Sequence, residues 1–279
     1  MSRRFLAPLL TLCLVGMGAQ ALARPFQARP TSGSPYVRVK AALLIERESG
    51  QILYAKAEDQ RLPPASLTKV MTALVALESG SLQETVTIDR ESVVRRTPKI
   101  GVRPGERFAL RDLVAAMLIT SANDACLAVA RHMGGSETDF VARMNEKASA
   151  LGLVDTHFSN ACGFDGPEHY SSPRDLAGLT EEALKDDVFA VIVRTVETEI
   201  STIDQKRHFR LSNTNRLLAD PDVTGLKTGF TREAGHCLIA TASRNGKSIL
   251  LVGLNFRHRW GGPMVLLRYG FGRVQEEEG

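Results

Sequence analysis

The hydrophobic period of this chain changes twice along its length, and that change restricts the fold more than any other feature. Ala41–Glu46 and Gln51–Ala55 read as two short strands joined at Ser49-Gly50, a hairpin turn signal. The middle reads as helices. Leu67, Val70, Met71, Leu74 and Leu77 fall at the i, i+3, i+4, i+7 spacing of one buried helical face, with Gly80 as its stop. Leu110–Met133 carries a long helical pattern closed by Gly134-Gly135. Ser136 caps a further helix ending at Leu151-Gly152, Ser172-Pro173 starts another, and Asp187–Val196 is one more. The last third returns to strand over Val223–Thr228, His236–Ser243 and Ser248–Asn255, the last two joined by the hairpin dipeptide Asn245-Gly246. Met264–Tyr269 suits a terminal helix. The class implied is α+β: an antiparallel sheet built from N- and C-terminal strands, flanked by helices, with a helical block inserted between.

The first 23 residues read as a secretory signal rather than fold: Arg3-Arg4, an apolar run over Phe5–Val15, and the small-x-small site Ala21-Leu22-Ala23. The run is short for a membrane span, and Leu12 before Cys13 does not fit a lipoprotein site. Residues 24–37 read as a disordered leader, 38–272 as the catalytic domain and 273–279 as a tail. Export therefore leaves 256 residues with 33 basic and 31 acidic side chains, a balance that argues for neither nucleic acid nor strong membrane binding. A soluble, monomeric protein of the periplasm or cell envelope is expected. Arg95, Arg96, Lys99 and Arg103 lie in an aperiodic stretch that reads as a solvated loop, although such a cluster could touch an anionic polymer. Cys126, Cys162 and Cys237 remain after export; the odd count leaves at least one free thiol, and Cys126 and Cys237 read as reduced, buried residues with no disulfide framework.

Chemistry enters with Ser66-Leu67-Thr68-Lys69, which follows Pro63-Pro64 at a helix start. Positions i and i+3 share a helix side, so Ser66 and Lys69 can touch. A serine hydroxyl needs a base to become a nucleophile. A lysine is that base only when neutral, so its pKa of about 10.4 must come down near 7, a cost of roughly 4 kcal/mol. Burial and a second cation are the forces that achieve this.

Two further elements follow in order. Ser121-Ala122-Asn123 interrupts the apolar pattern Leu113–Ile119, which resumes at Cys126–Val129, so polar groups stand at a helix junction and need partners. They read equally as a proton relay with a substrate-holding amide and as an ordinary helix connection. Lys227-Thr228-Gly229 lies on a strand between Gly225 and Phe230. Lys227 supplies the second cation, Lys227 with Thr228 offers a carboxylate site, and Gly229 lets a substrate backbone come close.

The triplet S-x-x-K, S-x-N and K-T-G in this order occurs in penicillin-binding proteins and serine β-lactamases. Together with Leu62–Ala73, Thr120–Ala128, Gly163-Phe164-Asp165, Ser171–Leu176, Asn213–Leu218 and Gly225–Gly235, it makes the chain resemble the low-molecular-mass penicillin-binding proteins of the D-alanyl-D-alanine carboxypeptidase family. The resemblance implies the penicillin-binding/β-lactamase-like transpeptidase fold and a serine peptidase that removes D-alanine from peptidoglycan stem peptides. By the same resemblance Ser66 forms the acyl-enzyme, Lys69 takes its proton, and Ser121 with Lys227 completes the path to the leaving amine. Asn123, Lys227, Thr228 and Gly229 bind substrate, and the backbone N–H groups of Ser66 and Phe230 form the oxyanion hole. β-Lactams would acylate Ser66. No cofactor or metal is implied, and the six histidines show no zinc spacing.

Many members carry a second domain and an anchor helix for which no room is expected here. Phe230-Thr231 and Ala234–Cys237 look more like members that act as DD-endopeptidases, so cleavage of cross-links is the alternative. A β-lactamase of the glutamate-assisted kind is disfavoured, because none of Glu137, Glu146, Glu168, Glu181, Glu182, Glu197 or Glu199 has Asn four residues later. A penicillin-binding sensor without turnover is the remaining rival.

Overall fold

The structure is a computed structural model that describes residues 27–28, 33–79, 81–95 and 98–276. The signal segment, Gly80 and Arg96 lie outside the described residues. A six-stranded sheet is formed by β1 (Gln27–Ala28), β2 (Val39–Glu46), β3 (Gln51–Lys56), β8 (Val223–Thr231), β9 (Gly235–Arg244) and β10 (Lys247–Phe256), in the order β1-β3-β2-β10-β9-β8. All pairings are antiparallel except β1 with β3. The N- and C-terminal strands thus meet where β2 pairs with β10, Leu44 opposite Leu251. Asn245 and Gly246 turn β9 into β10 with φ of 50° and 77°, the left-handed values that this hairpin dipeptide supplies.

Both faces of the sheet are covered, which explains the unbroken apolar run in β2. Leu43 and Ile45 pack on the helical block, whereas Ala42 and Leu44 pack on the terminal helix α7 (Gly261–Glu276). The block contains α1 (Lys69–Ser79), α2 (Leu110–Ile119), α3 (Asn123–Gly134), α4 (Glu137–Ala150), α5 (Pro173–Ala183) and α6 (Asp187–Arg194). Ser136 and Ser172 cap α4 and α5 by accepting from the Asp139 and Asp175 amides, as their sequence positions imply.

Two small two-stranded antiparallel sheets were not foreseen: β4 (Thr85–Thr87) with β5 (Arg107–Ala109), and the hairpin β6 (Glu197–Ser201) with β7 (His208–Ser212). Three expectations need correction. Gln27–Ala28, inside the expected leader, form a strand because the open edge of β3 offers backbone partners at Gln51 and Ile52. The helix expected over Met264–Tyr269 runs through the expected tail to Glu276, because Phe271 and Val274 are buried against the sheet. Cys126 is not a reduced thiol but is disulfide-bonded to Cys162, across a Cα–Cα distance of 6.0 Å that suits such a bond. Cys162, in the irregular segment between α4 and α5, is itself buried; among the described residues Cys237 is the free, buried thiol. Among the described residues, no helix is long and apolar enough to cross a membrane.

Candidate active site

Ser66 sits on a 3-10 turn, Ala65–Thr68, and Lys69 opens α1 behind it. Two prolines and the tight turn take the chain into the helix, and Ala65 adopts φ 50°, a strained value for a residue with a Cβ. Lys69 is fully buried. Its Nζ lies 3.1 Å from Ser66 Oγ, 2.9 Å from Asn123 Oδ1 and 2.6 Å from the Cys162 carbonyl oxygen. Burial, and then the nearby Lys227 charge, push its pKa well below the usual lysine value. A neutral amine has two hydrogens and one lone pair. Asn123 and Cys162 can take the hydrogens, which leaves the lone pair facing the Ser66 hydroxyl.

Ser121 occupies the break between α2 and α3 at φ 61°, again left-handed. Lys227, on β8, is also buried and donates to Ser121 Oγ at 2.9 Å and to the Thr228 carbonyl at 2.9 Å. Burial, with Arg259 adding positive charge nearby, lowers its pKa to about 7. Thr228 Oγ1 bonds Thr214 Oγ1 at 2.7 Å. β8 is the sheet edge, and its Gly229 passes so close to the turn that a Cβ there would stand 3.2 Å from Ser66 N and 3.1 Å from Pro64 O. Phe230 follows, 57% exposed and stacked on His236 with ring centroids 4.8 Å apart. The residues of the three motifs, Ser66, Lys69, Ser121, Asn123, Lys227, Thr228 and Gly229, therefore lie together at this one cleft, with Phe230 beside them. Asn123 differs in detail: its Oδ1 is committed to Lys69, so only its Nδ2 end is left for a substrate.

Four supports were missed. Asp124 is buried beside Asn123, and its carboxylate accepts from the amides of Ile100, Gly101 and Val102 at 3.1, 2.7 and 3.1 Å, tying the aperiodic stretch to the start of α3. An acid inside an apolar helical run was a visible signal of such a need. His169 is buried below the nucleophile turn. The Ser159 amide donates to its Nδ1 at 3.1 Å, so its Nε2 carries the hydrogen and donates to Thr68 Oγ1 at 2.8 Å, which donates to the Ala65 carbonyl at 2.8 Å. Arg259 and the Cys126–Cys162 bond gave no local signal. Of the described basic residues in the aperiodic stretch, Arg103 lines a separate hollow of about 480 Å³ with Arg107, Lys206 and Arg207. Among the described residues no cluster of His, Cys, Asp or Glu could hold a metal ion.

A serine beside a buried lysine of lowered pKa, facing the edge strand of a sheet covered by helices on both sides, is the arrangement of the penicillin-binding class of serine peptidases. The chain belongs to the D-alanyl-D-alanine carboxypeptidase family, whose model matches residues 28–258. It is 38% identical over 219 residues to the carboxypeptidase DacF of Bacillus subtilis, covering 76% of this chain and 56% of that protein. Identity to DacC of Escherichia coli is 34% over 262 residues, covering 88% of this chain and 64% of that one. The chain thus spans less than two thirds of these relatives. A carboxypeptidase of Streptomyces sp. strain K15 is 30% identical over 280 residues and is covered to 96%, with 92% of this chain. Among solved structures, the Streptomyces K15 DD-transpeptidase superposes with a TM-score of 0.80 at 29% identity, over 86% of this chain and all of that one. The D-alanyl-D-alanine carboxypeptidase of Mycobacterium tuberculosis H37Rv gives 0.81 at 29% identity, over 88% of this chain and 96% of that one.

Proposed function

We propose that this protein is an exported serine DD-peptidase that removes the terminal D-alanine from peptidoglycan stem pentapeptides. The observation that carries the proposal is the contact between Ser66 and a buried Lys69 of depressed pKa, 3.1 Å apart. Lys69 takes the Ser66 proton as Oγ attacks the penultimate D-alanine carbonyl. The Ser66 and Phe230 amides hold the oxyanion, and Asn123 Nδ2 steadies the acyl chain. Lys227 and Thr228 hold the terminal carboxylate, and Ser121, bonded to Lys227, passes a proton to the departing D-alanine. Water then releases the shortened peptide. Penicillins, which present a comparable carboxylate beside a reactive amide, acylate the same serine. The signal at residues 1–23 delivers the protein to the periplasm or cell envelope as a soluble monomer, where trimming stem peptides serves wall maturation and cell shape.

A second reading concerns the donor and the acceptor. A cross-link also has a free carboxylate beside the scissile bond, so the same anchor admits endopeptidase cleavage. The K15 neighbour bears the name DD-transpeptidase, which makes an amine a possible acceptor in place of water. Mass spectrometry of defined muropeptides incubated with residues 24–279 separates these products. Loss of one alanine from a pentapeptide supports the proposal. Conversion of a dimer to monomers supports the endopeptidase, and a stable penicillin adduct on Ser66 without either product would replace both with a sensor.

A further inference from the structure

We propose that the Cys126–Cys162 disulfide is a positioning element of this site: it clamps together the two acceptors that aim the Lys69 lone pair at Ser66. The inference rests on Lys69 being the base.

The two acceptors come from unrelated parts of the chain. Asn123 is the first residue of α3, whereas Cys162 lies in the irregular segment between α4 and α5. Cys126 stands one turn beyond Asn123 on the same side of α3. The segment and the helix are therefore joined twice, once through Lys69 and once through the sulfurs.

The other bonds of the segment do not set its distance from α3. Asn160 Oδ1 accepts from the amides of Cys162, Gly163 and Phe164 at 3.2, 2.8 and 3.0 Å, which fixes the segment's own shape. Ala161 is tied to α1 through Thr72 at 2.5 Å and to α4 through Glu137 at 3.1 Å. The tie to α3 runs through the two sulfurs, both buried. Immediately after Cys162, Gly163 at φ 88° abuts the Ala65 carbonyl, where a Cβ would collide. A shift of Cys162 is thus transmitted both to Lys69 and to the turn that carries Ser66. A misplacement of about 1 Å in a reacting group costs up to about 10²-fold in rate.

The test is the acylation of Ser66 by a fluorescent penicillin, resolved into non-covalent affinity and acylation rate constant. Cys126→Ala, Cys162→Ala and the double variant are expected to lose about tenfold or more in rate constant with affinity retained. The double variant should be no slower than either single one, since all three break one bond. Cys126→Val with Cys162→Ala restores side-chain volume without the bond, and it should fold and be equally slow. Unfolded, unreduced protein of residues 24–279, which lacks Cys13, should titrate with one thiol, that of Cys237. Three thiols, wild-type rate constants in the variants, or additive losses shared with affinity would overturn the inference. A wild type that penicillin does not acylate would instead bring down the peptidase reading beneath it.

Discussion

Lys69 and Lys227 are buried in one cleft, and among the described residues neither is paired with a carboxylate. Each is solvated by neutral oxygens instead, so burial acts on both unopposed and Lys227 adds its charge to the pressure on Lys69. An acid at this place would hold Lys69 protonated and remove the base that the proposed mechanism requires.

Lys227→Ala should therefore change the pH dependence of acylation as well as substrate choice. Removing the neighbouring charge raises the Lys69 pKa, so the rising limb of the rate profile moves to higher pH. The wild type should prefer free-acid over C-terminally amidated substrates by about tenfold or more, and the variant should lose that preference. Equal wild-type rates on both substrates would remove the carboxylate anchor.

Stability should rise with pH through the window from about 7 to about 10.4. Below the folded-state value of about 7 Lys227 is protonated in both states, and between the two values the unfolded chain binds the extra proton, so unfolding is progressively disfavoured as pH rises. The gain is at most about 5 kcal/mol. Urea denaturation of wild type and Lys227→Met at pH 7 and 9.5 measures it; the variant should show a clearly flatter profile, and an equal slope in both would contradict the assignment.

Gly229→Ala tests the close passage of β8. Its methyl would press on Ala65, Pro64 and Ser66 at 3.1–3.2 Å, so the strand must back away from the nucleophile. A tenfold or greater loss of acylation rate is expected, with a stability cost of about 1 kcal/mol. Unchanged penicillin kinetics would show that the strand has room to spare.

The elements that build this cleft differ in how far the chain announced them. α1, α4 and α5 were visible because an apolar stripe and a capping serine are local properties. Ser66, Ser121 and Lys227 were visible because each belongs to a short, ordered motif. The hairpin β6–β7 alternates buried and exposed residues but lacks a glycine turn signal, and so passed unnoticed. The Cys126–Cys162 bond joins residues 36 positions apart, and nothing local distinguishes that pairing from one with Cys237. His169 was hidden for the same reason, since its partners Thr68 and Ser159 become neighbours only when the segment after α4 folds beneath the nucleophile turn.

His169 supplies the last prediction. Burial comes first among the forces that lower its pKa to about 4, with the neighbouring His157 and Lys69 charges assisting against Asp165. The folded state holds it neutral while the unfolded chain protonates near 6.5, so stability should fall as pH drops from about 6.5 to about 4, by at most about 3 kcal/mol. His169→Gln keeps an amide donor for Thr68 and an acceptor for the Ser159 amide but cannot titrate. It should retain most of the Ser66 acylation rate at pH 7 and lose the His169 part of the acid sensitivity, whereas His169→Ala, which leaves the Ser159 amide unpartnered and takes away the donor to Thr68 Oγ1, should cost about 1–3 kcal/mol at pH 7 and slow acylation as the Ala65 turn loosens. Urea denaturation of the three proteins at pH 4.5 and 7 decides the matter: an identical acid loss in wild type and His169→Gln would mean that other groups carry it.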